Sequence, residues 1–252
     1  MLAAAVQLRG VGVTYGDVVA VESATAQAPA GCLVCLVGVN GSGKSTLLKA
    51  LIGSVPHSGS AAILGVSGRE RRRLAAYVPQ REAVEWNFPI SVIEVAMMGR
   101  RENLRRIGWD AREARAAART ALARLQVDDL ADRAIGELSG GQQQRVMLAR
   151  AVYSKARVLL LDEPLSGVDP AGQGLVLDLL AALCAEGRTV LMATHDLQTS
   201  ARVADRVWGV NRTVVADVGA GELLDAGVLQ RIYGDHLVVL PDGALVLGDQ
   251  AR

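Results

Sequence analysis

Residues Val34 to Leu48 read VCLVGVNGSGKSTLL. An apolar run ends at Gly38, a glycine-rich turn follows, and Lys44, Ser45 and Thr46 open a segment of helical character. From Gly38 to Ser45 the spacing is GxxxxGK[ST], a pattern that cradles phosphates. Glycines at 38, 41 and 43, with Val39, Asn40 and Ser42 between them, let the backbone bring its N–H groups close to an anion. The helix start adds unpaired N–H donors and the positive end of the helix dipole. Lys44 supplies a point charge for β- and γ-phosphates, and Ser45 a hydroxyl for Mg²⁺. Alone, the pattern implies a nucleoside triphosphate and says nothing of its use.

The bounds around this stretch are broad. The 252 residues are 50% hydrophobic, enough for one large domain or a core with a subdomain. A formal net charge of +1 gives no global attraction for nucleic acid. No apolar run reaches the length of a bilayer span, and the start, MLAAAVQLRG, lacks the charged region of a signal peptide. A soluble, cytosolic protein is expected. Cys32 and Cys35 form a CxxC, but residues three apart on a strand face opposite ways. Buried strand thiols are expected rather than a redox pair.

Val6, Leu8, Val11 and Val13, then Val18 to Val21 after a Tyr15-Gly16-Asp17 turn, read as β structure. A helix is expected from Ser45 to Ile52, stopped at Gly53, with a short strand at 59–64. From Arg69 to Arg150 the character becomes helical. Asp110 and Glu113 fit a capping box for a run to Leu125. The arginines at 69, 71, 72 and 73, and at 100, 101, 105 and 106, are expected to be solvated. After Arg150 the pattern returns to α/β. Val158 to Leu161 reads as a buried parallel strand, Leu175 to Glu186 as a helix and Thr189 to Ala193 as a strand.

Three further stretches carry chemistry. Asp162 and Glu163 follow a buried strand, where α/β sheets bind ligands. Asp162 suits Mg²⁺ and Glu163 suits polarising a water, although an acidic strand end is by itself unremarkable chemistry. Leu138-Ser139-Gly140-Gly141-Gln142 is both a capping box and a second set of exposed backbone donors, far in sequence from the first. His195 ends a strand at Thr194-His195.

Taken in order, GVNGSGKST at 38–46, YVPQ at 77–80, LSGGQQQR at 138–145, VLLLDEP at 158–164, SGVD at 166–169 and TH at 194–195 resemble the ATP-binding cassette (ABC) proteins. The resemblance spans most of the chain and its motifs are specific. It implies a P-loop NTPase of ABC ATPase type, an α/β fold with a mostly parallel core sheet, an N-terminal antiparallel β subdomain and a helical subdomain. The β subdomain and core would take 1–80 and 151–252, the helical part 81–150. By resemblance Tyr15 stacks on adenine and Gly38 to Thr46 hold the phosphates of ATP. Gln80 touches Mg²⁺ and the attacking water, and Ser45 and Asp162 serve the metal. Glu163 is the general base, Asp169 the D-loop aspartate and His195 the contact to the γ-phosphate. Two copies are expected to pair head to tail, so that Ser139, Gly140, Gly141 and Gln142 of one cover the nucleotide of the other. Val39 departs from the residue the family often has there; a backbone cradle tolerates it.

A single cassette resembles the separate ATPase subunits of bacterial importers, peripheral on the cytoplasmic face of the membrane. Such subunits are coupled to a permease and, through it, to an extracellular substrate-binding protein. PQREAVEWNFPISVIEVAMMGR at 79–100 and the tail RIYGDHLVVLPDG at 231–243 are similar to the manganese/zinc/iron importer ATPases. Importers of siderophores or haem, and exporter subunits, remain open on composition. A soluble cassette acting on DNA or ribosomes is a poorer match, because the insertion lacks sustained heptads and there is no second cassette. Only 3% of residues are aromatic, yet Trp86 and Phe88 fall together beside Pro89. They are the expected docking residues for a partner helix, with the methionines at 97 and 98 packed inside. The histidines at 57, 195 and 236 are scattered, so transported metal is not expected to touch this subunit.

Overall fold

The computed structural model describes residues 4–100, 111–234, 237–239 and 245–247. Strand β1 (Ala4–Tyr15) turns at Gly16–Asp17 into β2 (Val18–Pro29), and the two pair antiparallel. Val6, Leu8, Val11 and Val13 are all buried although the spacing changes parity between Leu8 and Val11. A register shift falls between these two residues, and one extra residue on β1 keeps the same face inward. Strand β3 (Leu33–Val37) leaves this layer and feeds α1 (Lys44–Ile52). Strand β4 (Ser58–Ile63) returns to the other side of β1, closing a three-stranded sheet ordered β2-β1-β4.

The second sheet adds β5 (Ala75–Val78), β6 (Val158–Asp162), β7 (Thr189–Ala193), β8 (Arg206–Asn211) and β9 (Thr213–Gly219) in the order β5-β6-β7-β3-β8-β9. All neighbours are parallel except β8 and β9. Alternation along each strand divides its side chains between two cores. Val34, Leu36, Leu160, Leu191 and Trp208 pack toward α1 and the three-stranded sheet. Cys35, Val37, Leu159, Leu161, Val190 and Met192 pack on the opposite face. Burial on both faces explains why these strands read as unbroken apolar runs.

That opposite face meets α2 (Val92–Met97), α3 (Ala111–Ala123), α4 (Gly140–Tyr153), α5 (Pro170–Ala185), α6 (Leu197–Val203) and α7 (Ala226–Tyr233). Helices α2, α3 and α4 pack on one another, and α4 also packs on β5. A short hairpin of β10 (Leu237–Val239) and β11 (Leu245–Leu247) follows. Among the described residues no helix is long and apolar enough to cross a membrane.

Several expectations change. Arg71 is buried, 4% exposed, whereas Arg69, Arg72 and Arg73 are solvated. Its Nε donates to the Leu51 carbonyl at 2.7 Å, one Nη to Ala50 at 2.7 Å and the other to Ala61 at 3.3 Å. Arg72 donates to the carbonyls of Ile52 and Gly53. The arginine run therefore closes the C-terminal end of α1, where otherwise unpaired carbonyls and the negative end of the dipole favour cations. Cys32 precedes β3 and is only half-buried, while Cys35 lies inside the strand. Burial pushes the Cys35 thiol up to about 12, and the cysteines are free. Helix α5 starts five residues before Leu175, because Asp169 caps it and Pro170 suits its first turn. Arg101, Arg105, Arg106 and the Asp110 cap lie outside the described residues.

Candidate functional site

Parallel strands place their C-terminal ends at one edge, and register fixes which residues meet there. Ala193 of β7 lies opposite Asp162 of β6 on one side and Leu36 of β3 on the other. Val78 of β5 lies opposite Leu161. The residues that follow these pairs are Gly38, Gln80, Glu163, Thr194 and His195, so stretches between residues 38 and 195 converge on one edge. Backbone bonds extend the alignment past the strands: Glu163 N–H donates to Ala193 at 3.0 Å and Thr194 N–H to Leu36 at 3.0 Å.

The glycine loop crosses this edge. Gly38 has φ +153°, and a Cβ there would run into the Val210 carbonyl. Gly43 has φ +103°, and a Cβ would come 2.8 Å from the Ala20 carbonyl. Only glycine fits either position. Gly43 is also the residue before α1, and no side chain caps that helix. Lys44 is buried and folds back over the loop, its Nζ donating to the carbonyls of Gly38 at 2.8 Å and Val39 at 2.9 Å. Burial pulls the ammonium below its ordinary value, while Glu163 and Asp162 pull the other way. Ser42 is buried with its hydroxyl unpartnered. Asn40 and Gly41 are exposed at the mouth, and Thr46 is half-buried beyond Ser45.

Asp162 is 2% exposed, and both its oxygens are held. Ser45 Oγ donates to Oδ1 at 2.8 Å, and Tyr77 Oη donates to Oδ2 at 3.0 Å. Burial, followed by the Asp162 charge, raises the Tyr77 phenol, so it remains a donor at neutral pH. The Ser45 hydroxyl and Asp162 carboxylate form an oxygen donor set that fits Mg²⁺. Glu163 has φ +49°, in the left-handed region that a non-glycine residue enters at a cost of about 1 kcal/mol. His195 Nδ1 lies 3.6 Å from Glu163 Oε2. The two border a cavity of about 230 Å³ also lined by Ser166, Gly167, Gln173 and Asp196.

The other residues expected in the site stand apart from this edge or serve local structure. Tyr15 is half-exposed at the end of β1. Ser139 and Gln142 form the capping box of α4: Gln142 N–H donates to Ser139 Oγ at 3.4 Å, and Ser139 N–H donates to Gln142 Oε1 at 2.9 Å. A Cβ at Gly141 would come 3.3 Å from the Gly167 carbonyl, and one at Gly140 would come 2.9 Å from Arg81 Nε. Asp169 Oδ2 accepts from Gly172 N–H at 3.2 Å. Among the described residues no hydrogen bond joins Ser139–Gln142 to the loop at Gly38–Thr46. Gln80 sits half-buried at the end of β5, and its neighbour Arg81 reaches Gln143 Oε1 at 3.2 Å.

Sequence reasoning did not single out Tyr77 or Arg81. Tyr77 was legible only as part of YVPQ, since nothing in one sequence pairs it with a residue 85 positions on. Trp86 is partly buried, and its Nε1 donates to the Arg81 carbonyl at 3.0 Å. Phe88 is 63% exposed and Met98 46% exposed, so Met98 lies at the surface, against expectation, while Met97 packs against the core. Among the described residues no three His, Cys, Asp or Glu side chains converge as metal ligands.

A phosphate loop leading from β3 into a helix, with a carboxylate pair at the C-terminal end of β6, two strands away in the same sheet, defines a P-loop NTPase. Comparison narrows the class. Residues 21–166 match the ABC transporter family. The manganese transport system ATP-binding protein MntB of Bacillus subtilis is 39% identical over 247 residues, covering 96% of this chain and 98% of that protein. The zinc transport system ATP-binding protein TroB of Treponema pallidum is 42% identical over 210 residues, covering 83% of this chain and 79% of that one. A dimeric bacterial ABC transporter cassette superposes with a TM-score of 0.77 at 25% identity, covering 85% of this chain and 98% of the other. The chain belongs to the ABC transporter family and is an ATPase of that type.

Proposed function

We propose that this chain is the ATP-hydrolysing subunit of an importer for a metal ion, manganese, zinc or iron, working as a homodimer beneath a separate membrane permease. The observation that carries the ATPase chemistry is the convergence of the glycine loop, Asp162, Glu163 and His195 at one sheet edge. The near full-length likeness to manganese and zinc transport subunits supports the cargo. The metal is cargo of the transport system and not a ligand of this chain.

In this reading Tyr15 stacks on adenine, and Gly38 to Thr46 bind the phosphates. Lys44 trades its two loop carbonyls for phosphate oxygens. Ser45 and Asp162, with Gln80, would hold Mg²⁺, which supplies neutralisation of phosphate charge. Glu163 takes a proton from the attacking water, and His195, within reach of Glu163, orients toward the γ-phosphate. Ser139, Gly140, Gly141 and Gln142 complete the site of the second copy, and Asp169 stiffens the turn beside them. The segment 81–150 acts as a helical subdomain that moves with the permease; residues 1–80 and 151–252 form the β subdomain and core. Phe88 and Met98, backed by Trp86, form the docking surface. No nucleic acid takes part. The subunit lies peripherally on the cytoplasmic face, and an extracellular binding protein delivers the cargo. Reconstitution with its permease should give ATP-driven uptake of manganese, zinc or iron ions. Uptake of haem or a siderophore instead, with none of these ions carried, would overturn the cargo.

A further inference from the structure

The assignment of Ser45 and Asp162 to a divalent cation leaves one strong contact without a role. Asp162 is almost fully buried, and a buried carboxylate needs its oxygens satisfied. Ser45 satisfies Oδ1 from the side of the phosphate loop. Oδ2 is satisfied by Tyr77, which lies on β5, the edge strand whose last residue, Val78, stands two positions before Gln80. A carboxylate held at one oxygen can rotate about its last torsion; held at both, its plane is fixed.

We propose that Tyr77 is a positioning residue for the metal site: its phenol orients the Asp162 carboxylate so that the divalent cation accompanying ATP meets one defined oxygen. Tyr77 touches neither nucleotide nor reacting atoms. Its effect passes through Asp162 alone. The same residue is tied to the helical segment, because its carbonyl accepts from Arg150 of α4 at 3.4 Å. A shift of α4 against β5 therefore reaches Asp162 through one residue, without passing through the glycine loop. The geometry makes the hydroxyl the active group and the ring a spacer, so Tyr77→Phe removes the function while keeping the packing. Outer partners of metal-holding carboxylates typically change metal affinity by 10- to 100-fold, and a single hydroxyl belongs at the lower end of that range.

This inference rests on the reading of Asp162 as a metal residue, and the test separates the two. Full-length wild type, Tyr77→Phe and Asp162→Asn are titrated with Mn²⁺, a paramagnetic stand-in for Mg²⁺, at saturating non-hydrolysable ATP analogue, with free Mn²⁺ read by electron paramagnetic resonance. Binding of the same analogue in EDTA and the thermal midpoint are measured alongside. Tyr77→Phe should bind Mn²⁺ about 10-fold more weakly, with metal-free nucleotide binding and thermal midpoint close to wild type. Unchanged Mn²⁺ affinity in Tyr77→Phe, with Asp162→Asn clearly weakened, would overturn the Tyr77 role and leave the Asp162 assignment standing. Unchanged affinity in Asp162→Asn would overturn both. An equal loss of metal-free and Mn²⁺-dependent binding in Tyr77→Phe would show a general structural role and also overturn the proposal.

Discussion

Helix α1 follows a glycine and α4 opens on two, and both present backbone N–H groups, yet they are finished in opposite ways. The start of α1 has no side-chain cap, and Gly43 enters it in a left-handed conformation. Its other end is closed by Arg71 and Arg72, which donate to the carbonyls of Ala50, Leu51, Ile52 and Gly53. The start of α4 is closed by its own capping box, Ser139 with Gln142. A helix whose N-terminus is left open and whose C-terminus is clamped is prepared for an anion. A helix that already satisfies part of its first turn can wait exposed until a second molecule arrives. In the proposed reading each is one half of a site that two copies share.

The comparison breaks most severely at Lys44. Lys44→Ala should weaken ATP binding on the order of 100-fold, since charge-assisted bonds contribute about 1.5–3 kcal/mol each, while the fold stays intact. Isothermal titration checks this; retention of wild-type affinity would mean that the loop backbone alone holds the phosphates. Next comes the clamp. Arg71→Met keeps the length of the side chain but abandons buried carbonyls. It should lower unfolding free energy by about 2 kcal/mol, read as a shifted urea midpoint. A midpoint within error of wild type would show that water replaces the arginine without cost. The smallest effect belongs to α4. Ser139→Ala should cost about 1 kcal/mol of stability, because Gln142 still accepts from the Ser139 N–H. A loss as large as that of Arg71→Met would make α4 as dependent on its cap as α1 is on its clamp.

Much of this was legible in the sequence. The phosphate loop, the strand ending at Asp162 and the capping box at Ser139 are short local patterns, and local patterns survive in one dimension. The apolar run at 158–161 already read as a buried parallel strand, and it forms β6. What escaped was set by distance in the chain. Arg71 looks like its solvated neighbours, and only the fold puts it under α1, where it also reaches Ala61 of β4. Tyr77 meets Asp162 only because β5 and β6 are neighbours in the sheet. The early start of α5 was legible in principle, since Asp169-Pro170 is a strong helix start. Met98 shows the reverse error: an apolar side chain assigned to the interior stands at the surface.

The central claim is that the loop at Gly38–Thr46 and the helix start at Ser139–Gln142 complete one site only between two copies. The direct measurement is the solution mass, by light scattering, of Glu163→Gln with ATP and Mg²⁺, with and without Ser139→Ala added. The account predicts that Glu163→Gln binds ATP, does not turn it over and accumulates as a dimer, and that adding Ser139→Ala returns it to monomer with ATP still bound. A Glu163→Gln chain that stays monomeric with ATP bound, or a dimer indifferent to Ser139→Ala, would contradict it.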